Sequence, residues 1–144
     1  MPIDQPPGWQ PTGLAAKVAA GAEFAQTQFC MDAAIVRRYI AALESAGITG
    51  KLALLIGVNP LRSAKSARWM KHHLYGTIIP DDFISRLEQA ADPAREGLRI
   101  CVELIEELST IRGVAGVHIM APGNDAAIPE AIKSARARIE RAAV

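Results

Sequence analysis

The apolar run at residues 52–58 is the feature that most constrains how this 144-residue chain can fold. Its seven residues, LALLIGV, include no polar side chain. Such a run is typical of a strand covered on both faces in a parallel sheet, because a strand with one wet face alternates apolar and polar residues. Gly57 and Pro60 at its end predict a turn. We therefore expect a parallel α/β fold built around this strand.

Two further strands are predicted, at residues 23–29 (EFAQTQF) and 117–121 (VHIMA). The apolar residues of the first, Phe24 among them, suggest burial under helices on its outer side. Because strands and helices alternate along the chain, we expect parallel pairing through right-handed crossovers. The predicted fold is one α/β domain over residues 14–144, with helices on one side of three sequential strands, after an irregular Pro- and Gly-rich arm at residues 1–13.

Helix boundaries follow from capping signals. Asp32 and Ser63 are predicted N-caps, and Asp92 followed by Pro93 indicates a third helix start. The last helix is expected to turn Ile132 inward, and Gly113 and Gly116 are expected to bracket a turn before the third strand. The predicted helices span residues 14–20, 32–46, 63–73, 81–91, 92–110 and 127–142.

Composition excludes several classes of partner. With 16 Lys and Arg against 15 Asp and Glu, the formal net charge of +1 predicts neither nucleic acid nor an acidic membrane as a ligand. No apolar run reaches the roughly 20 residues of a membrane span, and the first residues do not resemble a signal peptide. Cys30 and Cys101 suggest a reduced, cytoplasmic chain rather than a disulfide framework. With three histidines at unrelated spacings they predict no metal site.

Candidate site residues follow from the expected topology, because parallel βα units bind ligands at the carboxyl ends of their strands. Gln28 lies at such an end. An unpaired buried amide costs roughly 1–3 kcal/mol, so Gln28 either binds a ligand or bonds to a neighbouring loop backbone, and both interpretations stay open. His118 on the third strand is expected to be a core histidine with satisfied hydrogen bonds.

Charged clusters on the helices predict solvated surfaces rather than chemistry. The Lys71–His73 cluster fits a solvated helix end, where cations complement the helix dipole. Glu103, Glu106 and Glu107 fit a solvated helix face. The chain carries no glycine-rich phosphate loop, nucleophile elbow or metal signature, so residue chemistry alone indicates a cytosolic parallel α/β domain.

Three segments, KVAAGAEFAQTQFCMD, LLIGVNPL and GVHIMAPGND, nevertheless resemble segments of methylenetetrahydrofolate reductases. KVAAGAEFAQTQFCMD resembles that family's Gly-Ala followed by an apolar strand ending Thr-Gln-Phe-Phe-Phe-Asp. LLIGVNPL resembles its Pro-Gly-Ile-x-Pro strand and loop, followed by a similar helical pair. GVHIMAPGND lies where the family has its last strand, Gly-x-His-Phe-Tyr-Thr-Leu-Asn, although IMAP departs from that pattern. The resemblance runs from about Lys17 to the C-terminus.

The resemblance implies a flavin-dependent (β/α)8 barrel of one-carbon metabolism. Such enzymes pass a hydride from NAD(P)H through FAD to methylenetetrahydrofolate. Only the last three strands and their helices are covered, whereas a closed barrel needs about 200–250 residues. The expected fold is therefore a partial (β/α)8 TIM barrel, and the catalytic acid and most of the flavin shell are expected on earlier strands.

Four residues receive roles from the resemblance. Gln28 matches a strand glutamine used on the folate, and its amide can both donate to and accept from a pterin edge. Ser66 and Met70 fall where better-known members carry a glutamine and a phenylalanine beside the folate. Lys17 matches a lysine near the FAD phosphates. No catalytic residue is assigned to this chain, which alone is not expected to hold FAD.

The resulting hypothesis is the C-terminal, folate-side portion of a methylenetetrahydrofolate reductase. The remaining strands would come from another chain or from a homo-oligomer. Two alternatives stay open: a non-catalytic folate- or partner-binding module, and an inactive truncated fragment.

Overall fold

A computed structural model describes residue 6 and residues 8–142, and residues 1–5 and 7 of the predicted arm lie outside the described residues. The three strands form one parallel sheet in the order β1-β2-β3, which confirms the predicted α/β class and sequential topology. The elements are α1 (Thr12–Ala19), β1 (Phe24–Phe29), α2 (Ala33–Ser45), β2 (Ala53–Val58), α3 (Ala64–His73), α4 (Asp81–Gln89), α5 (Pro93–Ser109), β3 (Val114–Ile119) and α6 (Ala127–Ala142).

The predicted N-caps are confirmed. Asp32 accepts hydrogen bonds from two amides in the first turn of α2, at 2.9 and 3.1 Å. Ser63 caps α3 at 3.2 Å, and Asp92 caps α5 at 3.1 Å, with Pro93 as its first residue. These three helices begin where the sequence predicts, because capping depends on residues within one turn. In contrast, α1 begins at residue 12 rather than 14.

The helices cover only one face of the sheet. Leu54, Ile56 and Val58 of β2 alternate toward the helices and are at most 3% exposed. On the opposite face Ala53 is exposed and Leu55 is half-buried. The expectation that helices pack on one side is confirmed, whereas the expectation that β2 is covered on both faces is wrong within the described structure.

The uncovered side, which we call the open face, carries the exposed residues of β1. Phe24, Gln26 and Gln28 are exposed, whereas Phe29 is buried in the core. Phe24 is 63% exposed, so the prediction that it is buried is wrong. The pleat sends alternate residues to opposite faces, and Phe24 therefore shares the open face with Gln26.

A bulge near the end of β1 is accommodated by a glycine. Gln26 pairs with Leu55 but Phe29 pairs with Gly57, so β1 contains one more residue than β2 between these two pairs. A Cβ on Gly57 would lie 2.7 Å from the carbonyl oxygen of Thr27. The Gly57 amide donates to the Thr27 hydroxyl at 2.9 Å. This close approach explains why the buried strand ends in glycine.

The carboxyl end of β1 is paired on its outer edge as well. Residues predicted as a loop before α4 bring Ile78 beside it, where Ile78 donates to Phe29 and accepts from Met31, both at 2.8 Å. The pair Cys30 and Ile78 forms an isolated parallel bridge. The rest of the outer edge of β1 has no strand partner among the described residues.

The third strand begins at Val114, three residues before its predicted start. Gly116 lies inside β3 rather than in a turn, because its missing side chain makes room for Leu55 of the neighbouring strand. A Cβ there would lie 3.3 Å from Leu55 Cδ2. Ile132 of α6 is 45% exposed, so its predicted inward position is also wrong.

The sequence predicts that three glutamates of α5 form a solvated helix face, but in the structure they also form salt bridges. Each forms a salt bridge to a different neighbouring helix. The pairs are Glu103 with Arg86 of α4 at 2.8 Å, Glu106 with Arg138 of α6 at 3.3 Å, and Glu107 with Arg37 of α2 at 3.2 Å. Exposed pairs contribute at most about 1 kcal/mol, so they orient the helices more than they stabilise them.

Cys30 and Cys101 are buried and form no disulfide, in agreement with the sequence analysis. Burial raises the pKa of the Cys30 thiol to about 11 and that of Cys101 to about 12. Both side chains therefore act as small core residues. Among the described residues, no helix combines the length and apolar character needed to cross a membrane.

Substitution of Gly97 tests how α5 is held against the sheet. A Cβ on Gly97 would lie 1.6 Å from the carbonyl oxygen of Leu61, so Gly97→Ala must push α5 away from the loop after β2. We expect the free energy of unfolding, measured in urea, to fall by about 3 kcal/mol. Gly13→Ala in α1 is the control: nothing lies within 4 Å of its Cβ, and stability should stay equal or rise by about 0.5 kcal/mol. Equal stability of the two variants would contradict this packing.

Candidate functional site

A cleft of about 390 Å³ lies at the carboxyl ends of β2 and β3, beside the N-terminal half of α3. This is the edge where parallel βα units place ligands. We call it the carboxyl-end cleft. Its lining consists of Asn59, Pro60, Arg62, Ser63, Lys65, Ser66, Trp69, Met70, Pro122 and Asn124.

Ser66 and Met70, both predicted substrate-binding residues, line this cleft together. They are four residues apart on α3 and therefore lie on one face of the helix. The Ser66 hydroxyl donates to the Ser63 carbonyl oxygen at 2.9 Å, which fixes it at the start of the helix. Met70 is 8% exposed and provides an apolar wall.

Asn59 is a cleft residue that the sequence reasoning missed. It is only 4% exposed, and its amide nitrogen contacts Met70 Sδ at 3.6 Å. A buried amide is retained where its hydrogen-bonding capacity is used. Its signal in the sequence was a single polar residue directly after the apolar strand, before Pro60.

The loops after β2 and β3 are tied together across the cleft. The side-chain amide of Asn124 donates to the carbonyl oxygen of Pro60 at 3.1 Å. Arg62 also approaches the carbonyl oxygen of Gly123, at 3.5 Å. These contacts keep the two strand ends at a fixed separation, so the cleft is preformed.

The rim of the cleft combines positive charge with an aromatic side chain. Arg62 and Lys65 are exposed, and neither forms a salt bridge with a described residue. Trp69 is 53% exposed and stacks on His73, with ring centroids 5.1 Å apart. An apolar wall, an aromatic face and two uncompensated cations suit a planar ligand that carries an anionic group.

Gln28 and Lys17 do not line the carboxyl-end cleft. Gln28 is exposed at the end of β1, and its Oε1 accepts a hydrogen bond from the Phe29 amide at 3.0 Å. It faces the loop after α3, where a Cβ on Gly76 would lie 3.8 Å from its own Cβ. Lys17 is exposed in the last turn of α1, a position where a cation complements the helix dipole.

His118 lies on the open face, next to Gly57 in the register of β2 and β3. Its Nδ1 is buried and has no hydrogen-bond partner among the described residues, so the prediction of a satisfied core histidine is wrong. An unpaired buried nitrogen costs about 1–3 kcal/mol unless a water molecule or another group satisfies it.

The Lys71–His73 cluster behaves as a helix end. His72 and His73 are exposed, as predicted, and Lys71 forms a salt bridge with Asp81 at 2.7 Å. The Lys71 ammonium lowers the pKa of the Asp81 carboxyl. Within the part of the chain that the structure describes, no cluster of three or more His, Cys, Asp and Glu could hold a metal ion.

Comparison with known proteins gives one family. The family model described as methylenetetrahydrofolate reductase matches residues 4–136, which is nearly the whole chain. A search of curated proteins found no match.

His118→Leu tests whether the unpaired nitrogen lowers the stability of this chain. Removing the unsatisfied Nδ1 while keeping an apolar side chain should raise the free energy of unfolding by about 1 kcal/mol, measured in urea. The exposed His72→Leu is the control and should change stability by less than about 0.5 kcal/mol. Destabilisation by His118→Leu would mean that the imidazole makes a hydrogen bond to a group other than the described residues.

Proposed function

This chain belongs to the methylenetetrahydrofolate reductase family, and we propose that it forms the C-terminal, folate-side portion of a flavin-dependent reductase. The complete enzyme would pass a hydride from NAD(P)H through FAD to methylenetetrahydrofolate. Membership of the family implies an oxidoreductase that acts on a folate. The observation that carries the finer proposal is the carboxyl-end cleft, which holds Ser66 and Met70 on one face of α3.

The open face supports the proposal that this sheet is an arc of a (β/α)8 barrel. Phe24 is 63% exposed there, Leu55 is half-buried, and His118 keeps an unpaired nitrogen. In a closed barrel this face would be the packed interior, and the outer edges of β1 and β3 would be paired. The remaining strands would come from another part of a longer protein, from a different chain or from a homo-oligomer.

Folate recognition is assigned to two neighbouring regions, the carboxyl-end cleft and the end of β1. Met70 and Trp69 would contact the aromatic part of the folate, and Arg62 and Lys65 would neutralise its carboxylates. Gln28, at the end of the adjacent strand β1, would hydrogen-bond the pterin. The bond from the Phe29 amide leaves one lone pair of Oε1 and both side-chain N–H donors for this purpose.

The described residues do not fit a complete flavin site. Lys17 is the one flavin-side residue that the resemblance supplies, and it is exposed and outside the carboxyl-end cleft. A single exposed cation contributes at most about 1 kcal/mol, too little to hold FAD. The flavin shell and the catalytic acid are therefore assigned to the completing strands, and no described residue is assigned a step of hydride transfer.

The location we propose is the cytoplasm, in keeping with two buried cysteines that form no disulfide. A non-catalytic folate-binding module is the second candidate function, because the cleft and Gln28 could bind a folate without a flavin. A neighbouring reading frame that encodes the completing strands would favour the enzyme.

Gln28→Ala, in the protein completed by its remaining strands, tests the folate assignment. Loss of one amide contact made in both the ground state and the transition state should lower kcat/KM for methylenetetrahydrofolate about tenfold, mainly through a higher KM. Flavin reduction by NAD(P)H should be unchanged. Gln26→Ala, the same truncation one pleat earlier on the open face, is the control. Unaltered folate kinetics in the Gln28 variant would rule out its role.

Neutralising Arg62 and Lys65 tests the cleft in the chain itself. We expect Arg62→Gln/Lys65→Gln to weaken binding of 5-methyltetrahydrofolate, measured by calorimetry, about three- to tenfold and to reduce its salt dependence. The control replaces Arg38 and Lys51, two exposed cations away from the cleft, with glutamine. If both double variants bind the folate equally well, its carboxylates do not lie in the carboxyl-end cleft.

A further inference from the structure

A second, larger groove of about 860 Å³ lies between α5 and α6 on the outer side of the sheet. We call it the α5–α6 groove. These helices cover the face opposite the open face, so the groove stays accessible whether or not other strands complete a barrel. The carboxyl-end cleft shares no lining residue with it.

Positive charge is concentrated in this groove. Five cationic side chains line it, against one carboxylate, Glu130. Two of the five are compensated by salt bridges within the fold. Arg95, Lys133 and Arg141 form no salt bridge with a described residue. Because the whole chain has a formal net charge of only +1, this is a local asymmetry and not a consequence of composition.

The floor of the groove is apolar. Val102 is 5% exposed, and Leu98 and Ala137 are half-buried beside it. The groove is lined by residues 95–102 of α5 and residues 129–141 of α6, so it extends roughly 10–18 Å along the two helices. An apolar trough of this length between two rows of cations complements one kind of surface: a helix with an apolar stripe flanked by carboxylates.

We propose that the α5–α6 groove docks an acidic amphipathic helix of a partner protein. The small net charge gives little long-range attraction for a nucleic acid, whose binding is dominated by phosphates. A membrane surface would need protruding apolar side chains, whereas the apolar residues here form the floor of a concave groove. The acidic helix satisfies both the charge of the rims and the chemistry of the floor.

The test uses a fluorescent peptide of about 18 residues, with leucines at i, i+3, i+4 and i+7 and glutamates beside them. Fluorescence anisotropy at 0.15 M salt should give a Kd on the order of 10–100 µM, typical of a small interface. A peptide with every glutamate replaced by glutamine should bind at least about tenfold more weakly.

Matched charge reversals locate the site. Arg95→Glu/Lys133→Glu/Arg141→Glu should weaken peptide binding at least about tenfold. The control applies the same change of charge elsewhere on the chain, and its affinity should stay within about twofold. The control substitutions are Arg38→Glu, Lys51→Glu and Arg112→Glu. Hydrogen exchange of the unmodified chain should show protection by the peptide only in α5 and α6, which keeps the test valid if a triple variant fails to fold.

Several outcomes would overturn the proposal. Equal binding of the glutamate and glutamine peptides would leave only non-specific apolar contact. Equal losses in both triple variants would mean that the peptide senses overall charge and not this groove. Tighter binding to vesicles of phosphatidylserine and phosphatidylcholine, or to a DNA duplex, would identify a different class of ligand. Absence of peptide binding at 1 mM would exclude the docking site.

Discussion

Burial of the sheet through one face only is the constraint on which the rest of the structure depends. Leu54 and Ile56 of the central strand are buried under the helices, while Leu55 between them faces the open side. This arrangement determines which side chains of the sheet pack against the helices and which lie on the uncovered face. The exposed Phe24 and the unpaired His118 nitrogen both belong to the open side, and the proposed further strands would cover them.

Local signals in the sequence predicted the features that depend on a few neighbouring residues. The caps at Asp32, Ser63 and Asp92 and the alternation of strands and helices are of this kind. The failures concern contacts between distant segments. Gly116 was predicted to lie in a turn because its packing against Leu55 of the neighbouring strand β2 is not visible in the sequence. Phe24 was predicted to be buried because the sequence does not show which face of the sheet the helices cover.

Some residues of the candidate site could be predicted from the sequence, and others become neighbours only in the folded chain. The resemblance selected Ser66 and Met70, and the fold places them in one cleft. Asn59 has a local signal, a lone polar residue directly after the apolar strand. Trp69 could not be selected from the sequence, because only the meeting of the loops after β2 and β3 with α3 brings it into the cleft. Gln28 lies at the end of the adjacent strand, where it could act on the same ligand only if that ligand extends across the sheet edge.

The position of a bound folate tests the central claim most directly. A crystal structure of this chain, completed by its remaining strands and soaked with 5-methyltetrahydrofolate, should show the ligand at the carboxyl ends of the strands. We predict its benzoyl-glutamate part in the carboxyl-end cleft against Met70, with the pterin toward Gln28. Density for the folate at the amino ends of the strands, or on the outer helices, would contradict the account.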